Sequence, residues 1–180
     1  MAFRRALVLG TGIAGLTTAY RLLRSDWDVT LTGPVPSHRH AAYSGPGLDA
    51  ARRLGLLPRT GSARADLVPV LRAALGDLRT AADIRSRVPD DCGVTVTFAD
   101  GTQDWFDLVV DTDWSPDDPS LAVAGAELLG DAFDIHTDTT EAWRWWYRTM
   151  RSYARRRTDR MVTRRRGYRA VVADPVRLPG

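Results

Sequence analysis

The first 33 residues alternate between apolar runs and a stretch with helical spacing. Ala6 to Leu9 and Val29 to Thr32 are short apolar runs, which predict two buried strands. The residues between them predict a helix from about Ile13 to Arg24. Its sheet-facing positions are Ile13, Leu16, Tyr20 and Leu23. The order of strand, helix and strand predicts a βαβ unit over residues 1–33.

The middle of the chain predicts short elements separated by turns. A loop rich in Pro, Ser, His and Gly is expected from Pro34 to Gly47, a helix from Leu48 to Leu56 and another from roughly Ala65 to Leu75. Val94 to Phe98 alternates like a strand, and Asp100-Gly101 predicts a hairpin turn after it. The partner strand is expected to continue through Trp105 and Phe106 to Val110. Ala122 to Leu129 then forms a short apolar segment that ends at Gly130-Asp131.

The last predicted element is an arginine-rich helix over residues 138–167. Asp138, with Glu141 three residues later, forms a capping-box pattern. One face of this helix is apolar and should pack on the sheet; its residues are Trp143, Trp146, Tyr147, Met150 and Ala154. A separate stripe is cationic and consists of Arg144, Arg148, Arg151 and Arg155.

The segment Gly10-Thr11-Gly12-Ile13-Ala14-Gly15 joins the first strand to the first helix. Gly10 allows a tight turn, Gly12 lets the backbone approach a pyrophosphate, and Gly15 lets the helix lie close to the strand. The phosphates of a dinucleotide would lie at the helix N-terminus, where free N–H groups and the helix dipole favour negative charge. An acidic residue is expected at the end of the second strand, but that position holds Gly33.

Composition narrows the class of protein. A chain of 180 residues is most simply one domain over 1–180, and all 25 basic residues are arginine. Residues 138–180 carry a local charge of +8 and the first 137 residues carry −5. The single cysteine, Cys92, excludes an intramolecular disulfide and favours a cytoplasmic location. The N-terminal apolar run is interpreted as a strand, not a signal peptide, and no run is long enough to span a membrane.

Several segments, taken together, resemble the FAD-dependent aromatic hydroxylases, the flavoprotein monooxygenases typified by para-hydroxybenzoate hydroxylase. The resemblance keeps the family's order between Arg5 and Arg166. The matching segments are Val8 to Tyr20, Arg53-Leu54-Gly55-Leu56, Arg64-Ala65-Asp66-Leu67, Gly93 to Gly101, Asp107 to Val110, Leu128 to Ala132 and the arginine-rich last helix.

The resemblance implies an α/β, Rossmann-like FAD-binding fold with a central parallel sheet, an inserted β-hairpin and a long C-terminal helix. It implies that Arg64, on the family's arginine-bearing helix, approaches the FAD pyrophosphate and that Asp131 of the Gly-Asp motif binds the ribityl chain. Asp113 stands at the family's Asp-Gly motif. The predicted cofactor-binding residues are therefore Gly10, Gly12, Ile13, Ala14, Gly15, Arg64, Asp113, Gly130 and Asp131.

The chain also departs from the family's pattern. Gly33 replaces an acidic residue, and Trp114 stands where the family has glycine. Only a short loop precedes Gly130-Asp131, so the substrate-binding domain is largely absent. Residues 133–140 lack the proline and glycine pattern of the family's loop beside the isoalloxazine ring. The sequence thus gives more evidence for binding of the FAD pyrophosphate than for binding of the isoalloxazine ring.

Three functions remain open from the sequence. The leading one is a shortened FAD-binding oxidoreductase that acts on an aromatic or polyketide-type substrate, with a protein partner or homodimer completing the pocket and no catalytic residue assigned. The second is a non-redox binding or regulatory protein on the same fold. The third is an NADPH-binding reductase in which Arg39 meets a 2′-phosphate. Nucleic acid is a less favoured partner, and His38 and His40 offer too few ligands for a metal site.

Overall fold

The computed structural model describes residues 4–34, 40–112, 118–157 and 170–171. The strands are β1 (Arg4–Leu9), β2 (Trp27–Thr32), β3 (Ala41–Ala42), β4 (Arg64–Ala65), β5 (Arg79–Ala81), β6 (Ile84–Pro89), β7 (Val94–Phe98), β8 (Gln103–Phe106), β9 (Leu108–Asp111) and β10 (Ala170–Val171). The helices are α1 (Ile13–Leu23), α2 (Gly45–Arg53), α3 (Leu67–Leu75), α4 (Pro119–Ile135) and α5 (Thr139–Arg157).

A five-stranded sheet in the order β10-β9-β1-β2-β5 forms the centre of the fold. β9, β1, β2 and β5 run parallel, and β10 is antiparallel to β9. The β1-α1-β2 unit lies where the sequence predicts it. The prediction of a Rossmann-like α/β fold with a central parallel sheet is confirmed.

The two faces of the central sheet carry different layers. Ala6 and Val8 point to the helical side, where they join a core cluster that includes residues of α1 to α5. Leu7 and Val109 point to the other side and pack against the antiparallel sheet β6-β7-β8. Residues Ala6 to Leu9 of β1 are apolar without alternation because both faces of the strand are covered.

The predicted hairpin is confirmed, but it belongs to a larger sheet than expected. β7 pairs with β8 around Asp100-Gly101, and β6 adds a third strand that the sequence analysis missed. β6 lies at the edge of its sheet, so its residues are mostly exposed and lack an alternating apolar signal.

The prediction that one strand runs from Trp105 to Val110 is wrong. The chain leaves β8 after Phe106 and enters the central sheet as β9 at Leu108. Asp107 lies at this crossing, and its Oδ2 accepts a hydrogen bond of 2.6 Å from the backbone N–H of Arg5. One largely apolar run thus forms strands of two sheets, and the polar residue Asp107 lies between the two strands.

Two shorter helices begin at different residues from those predicted. α2 begins at Gly45, with a proline in its first turn, rather than at Leu48. α3 begins at Leu67, after Asp66 caps it by accepting a hydrogen bond from the N–H of Val68. Arg64 and Ala65 therefore lie in β4, which pairs with β3, and not in the helix.

The apolar segment before Gly130 is part of a 17-residue helix, α4, that continues through Gly130-Asp131 to Ile135. The prediction that the segment ends at Gly130 is wrong. A Cβ atom at Gly130 would lie 2.1 Å from Cγ of Arg21 in α1. This glycine therefore allows α1 and α4 to approach, and it does not terminate the helix.

The last helix covers Thr139–Arg157, and residues 158–167 of its predicted span lie outside the described part of the chain. Asp138 caps it as predicted, accepting a hydrogen bond from the N–H of Glu141. Its apolar face packs on α4 rather than directly on the sheet, since Nε1 of Trp146 donates to the carbonyl oxygen of Gly125 at 2.8 Å. Among the described helices, none is long and apolar enough to cross a membrane.

Candidate nucleotide-binding site

The loop from Gly10 to Gly12 lies at the carboxyl end of β1, in the middle of the parallel sheet. β2 lies on one side of β1 and β9 lies on the other. In open α/β sheets, ligands bind beyond the carboxyl ends of the strands where the strand order reverses. The loop therefore stands at the usual binding position of such a sheet.

Gly10 and Gly15 are both required by the packing of the loop. Gly10 has a φ of +112°, and a Cβ atom there would lie 2.5 Å from Oγ1 of Thr112. A Cβ atom at Gly15 would lie 1.8 Å from the carbonyl oxygen of Gly10. These glycines have the turn and close-packing roles that the sequence predicts.

Gly12 differs from the other two glycines of the loop. It is the N-cap of α1, with φ −76° and ψ −174°, a conformation open to any residue. A Cβ atom at Gly12 would meet no atom of the described residues within 4 Å. The described residues therefore give no packing or backbone reason for a glycine at this position, and they leave the space beside it open.

The first turn of α1 offers free hydrogen-bond donors to that space. The first hydrogen bond of α1 runs from the N–H of Leu16 to the carbonyl oxygen of Gly12. The N–H groups of Ile13, Ala14 and Gly15 therefore have no intrahelical partner. No acidic residue lies in this turn, and no side chain caps it. The helix end is thus suited to an anion.

The ends of neighbouring strands hold the loop in place. The N–H of Gly10 donates to the carbonyl oxygen of Thr32 at 2.8 Å, and the hydroxyl of Thr11 donates to the carbonyl oxygen of Pro34. Thr112 holds the other side, since its hydroxyl donates to the carbonyl oxygen of Leu9 at 2.5 Å. Thr112 is not among the residues predicted for the site, although it lies two residues after the predicted strand that ends at Val110.

The backbone of Gly33 explains why no acidic residue stands at this position. This residue has a φ of +133°, and a Cβ atom there would lie 3.3 Å from both N and Cα of Gly10. A side chain at position 33 would be strained and crowded against the loop. Residues 35–39, including His38 and Arg39, lie outside the described residues, as does Asp113.

Asp131 has a protein partner in this structure, and its role at the ribityl chain stays a prediction. It lies inside α4, and its Oδ1 accepts a hydrogen bond of 2.9 Å from Nη2 of Arg21. Arg21 is nine residues beyond Gly12 on α1, so at 1.5 Å per residue it is about 13 Å along the helix from the glycine loop. The partner of Asp131 is thus at the far end of α1 from the predicted phosphate site.

Arg21 links α1 to two carboxylates of α4. Burial lowers the pKa of Arg21, but its hydrogen bonds to Asp134 and Asp131 outweigh burial and raise the pKa above its usual value. Burial raises the pKa of Asp134, and hydrogen bonds from Arg21 and Ser25 lower it to a net value below the usual one. This cluster joins α1 to α4.

Arg64 keeps its charge available. It is exposed in β4, and its backbone N–H donates to the hydroxyl of Ser62 at 3.1 Å. Within the described ranges, no carboxylate lies within ion-pair distance of its guanidinium. Its role at a pyrophosphate stays a prediction.

Comparisons with known proteins support the fold. The chain is similar to tetracycline destructase Tet(51), with 23% identity, a TM-score of 0.53 and coverage of 63% of this chain and 40% of that one. It is similar to tetracycline destructase Tet(55), with 23% identity, a TM-score of 0.52 and coverage of 62% and 38%. A third structure, p-nitrophenol 4-monooxygenase PnpA from Pseudomonas putida DLL-E4, gives 21% identity, a TM-score of 0.50 and coverage of 62% and 40%.

No family model matches the chain, and no curated protein matches it. The matched region spans about two fifths of the length of the three similar structures. At this level of identity the likeness concerns the fold. The chain therefore shares the α/β fold found in part of these monooxygenase and destructase structures, which confirms the fold implied by its resemblance to flavin-dependent monooxygenases.

Proposed function

We propose that the chain binds FAD through its glycine loop and serves as the FAD-binding module of a flavin-dependent oxidoreductase. The observation that carries the proposal is the open space at Gly12, which no packing or backbone constraint of the described residues explains. A pyrophosphate approaching the backbone would explain it, because any side chain would then stand in the ligand's way.

The charge of the site supports the same ligand. The free N–H groups of Ile13, Ala14 and Gly15 face the end of α1 where the helix dipole is positive. The first turn carries no carboxylate that would compete with a phosphate. These residues hold the pyrophosphate in the proposal, and Arg64 adds a positive charge to it.

The three similar structures give the proposal its chemistry. FAD bound at this site would supply electron and hydride transfer, and this chain would supply the binding surface. Two of the similar proteins are named for tetracycline and one for p-nitrophenol. We therefore retain an aromatic or polyketide-type substrate, with a partner chain or second copy completing a pocket that this chain only begins.

One structural observation favours a second candidate, a binding protein without redox chemistry. Asp131, the residue expected to hold the ribityl chain, is engaged by Arg21 about 13 Å along α1 from the loop. In this alternative the loop still binds the ADP portion of a dinucleotide, but nothing positions a reacting ring. Arg144, Arg148 and Arg151, which are exposed on α5, would then contact an acidic partner. The NADPH alternative depends on Arg39, which lies outside the described residues.

Absorbance and binding measurements separate these candidates. The purified protein is titrated with FAD, and flavin fluorescence and the visible spectrum are recorded together with competition by ADP. The proposal expects saturable quenching that ADP reverses and a bound flavin that dithionite reduces and oxygen reoxidises. FAD that binds no more tightly than ADP and keeps the spectrum of free flavin supports the second candidate, and binding of neither ligand contradicts both.

A further inference from the structure

The site contains a polar contact that neither the glycine pattern nor the resemblance assigns. Thr112 directly follows β9, and only 7% of its surface is exposed. Its hydroxyl donates to the carbonyl oxygen of Leu9 at 2.5 Å, and its backbone N–H donates to the same oxygen at 3.1 Å. Leu9 is the last residue of β1, immediately before the glycine loop.

The side chain of Thr112 also occupies the space that the glycines leave. Its Oγ1 lies 2.5 Å from the position of a Cβ atom at Gly10 and 3.2 Å from that of a Cβ atom at Gly15. One hydroxyl therefore packs beneath both ends of the loop while it is bonded to the strand that carries the loop. Loop, strand and helix meet at this atom.

We propose that Thr112 is the positioning residue of the phosphate loop: its hydroxyl fixes the end of β1 and thereby orients the N–H groups that receive the phosphates. This inference rests on the proposed nucleotide site. A loop fixed before binding loses less conformational freedom when the ligand arrives, so the contact contributes to affinity without touching the ligand.

Thr112→Val is the decisive variant. It keeps the shape of the side chain, and the carbonyl of Leu9 keeps the N–H of residue 112 as a donor, so no buried acceptor is left unpaired. A methyl group cannot approach a carbonyl oxygen as closely as the hydroxyl does, so the end of β1 must shift. Thr112→Ser restores the hydroxyl and is the rescue variant.

Two readouts test the role, one of them without ligand. We expect Thr112→Val to weaken the binding of FAD and of ADP by about three- to tenfold, the range set by one hydrogen bond, while Thr112→Ser stays near wild type. In the free protein, the amide hydrogens of the loop, Gly10 first, should exchange faster in Thr112→Val. Thr149→Val removes a comparable hydroxyl bond, to the carbonyl of Trp145 in α5, and should change neither readout at the loop.

The possible outcomes separate the positioning role of Thr112 from the proposed binding of FAD at the glycine loop. A wild-type protein that binds neither ligand contradicts the proposed site, and this inference with it. A wild type that binds, together with a Thr112→Val variant of equal affinity and equal exchange, overturns the positioning role alone. An equal loss in Thr112→Ser would show that packing, and not the hydroxyl, is responsible, and would also overturn it.

Discussion

The carbonyl oxygen of Gly10 occupies the place where a side chain of Gly15 would begin, 1.8 Å from an ideal Cβ atom. The obstacle is backbone, so it cannot rotate away. We expect Gly15→Ala to lower the free energy of unfolding by about 1–3 kcal/mol, the usual cost of overpacking. Urea denaturation followed by circular dichroism measures this change, and a variant as stable as the wild type would contradict the close approach of α1 to the loop.

Arg64 is the one described basic residue that the resemblance assigns to the pyrophosphate. If it binds there, Arg64→Ala should weaken FAD binding by roughly 1.5–3 kcal/mol, the range for a hydrogen bond to a charged group. The stability of the Arg64→Ala variant should differ little from that of the wild type because the Arg64 side chain is exposed. The matched control is Arg72→Ala, which removes an exposed arginine from α3; equal affinities in the two variants would remove Arg64 from the site.

A substitution at Asp131, unlike one at Arg64, should leave the affinity for FAD unchanged. Its carboxylate pairs with Arg21 and is 45% exposed, so Asp131→Asn should leave FAD affinity unchanged and cost less than about 1 kcal/mol of stability. Calorimetric binding and thermal unfolding check the two expectations. A large loss of affinity with stability retained would return Asp131 to the cofactor site.

Asp104 gives a prediction for acid stability. Hydrogen bonds from Arg5, at 2.7 and 2.5 Å, are the largest cause that lowers the pKa of Asp104 below 3.8, and burial opposes them. A lowered folded-state pKa means that this stabilisation is complete above the unfolded-state pKa and is lost as the pH falls through the folded-state pKa. Wild type should therefore lose more stability than Asp104→Asn when the pH is lowered from 5 to below 3.8. Parallel curves for the two proteins would contradict the pairing.

Tyr43 offers a stabilising substitution. Only 2% of its surface is exposed, and its hydroxyl has no hydrogen-bond partner among the described residues. Burial, with the nearby charge of Asp66, raises the pKa of this phenol to about 12. Tyr43→Phe removes an unpaired buried group and should raise the free energy of unfolding by about 1 kcal/mol. A destabilised variant would show that the hydroxyl has a partner.

The sequence predicted the parts of the fold that depend on local patterns. The β1-α1-β2 unit follows from apolar runs and three glycines, and the β7-β8 hairpin follows from alternation around Asp100-Gly101. These signals are strong because each buried strand or tight turn constrains its own residues. The cap at Asp138 is of the same kind.

Several of the errors share a physical cause, which is contact between distant parts of the chain. The apolar segment before Gly130 is predicted to end there, but it continues as α4, and Gly130 makes room for Arg21, 109 residues earlier in the chain. β5 and β6 are edge strands that carry arginines, and their pairing partners rather than their composition make them strands. The role of Thr112 depends on β9 lying beside β1, which no local pattern encodes.

The central claim is that Gly12 is a glycine because a dinucleotide approaches it. Gly12→Asp tests this claim most directly, since aspartate is a favoured N-cap and should keep or raise stability while it places a side chain and a negative charge in the phosphate site. Gln103→Glu adds the same charge at an exposed position of β8 and serves as the control. The measurement is the dissociation constant for FAD in the three proteins at one ionic strength. We expect tight binding by wild type and Gln103→Glu and loss of binding by a fully folded Gly12→Asp; equal binding by all three would contradict the role of Gly12.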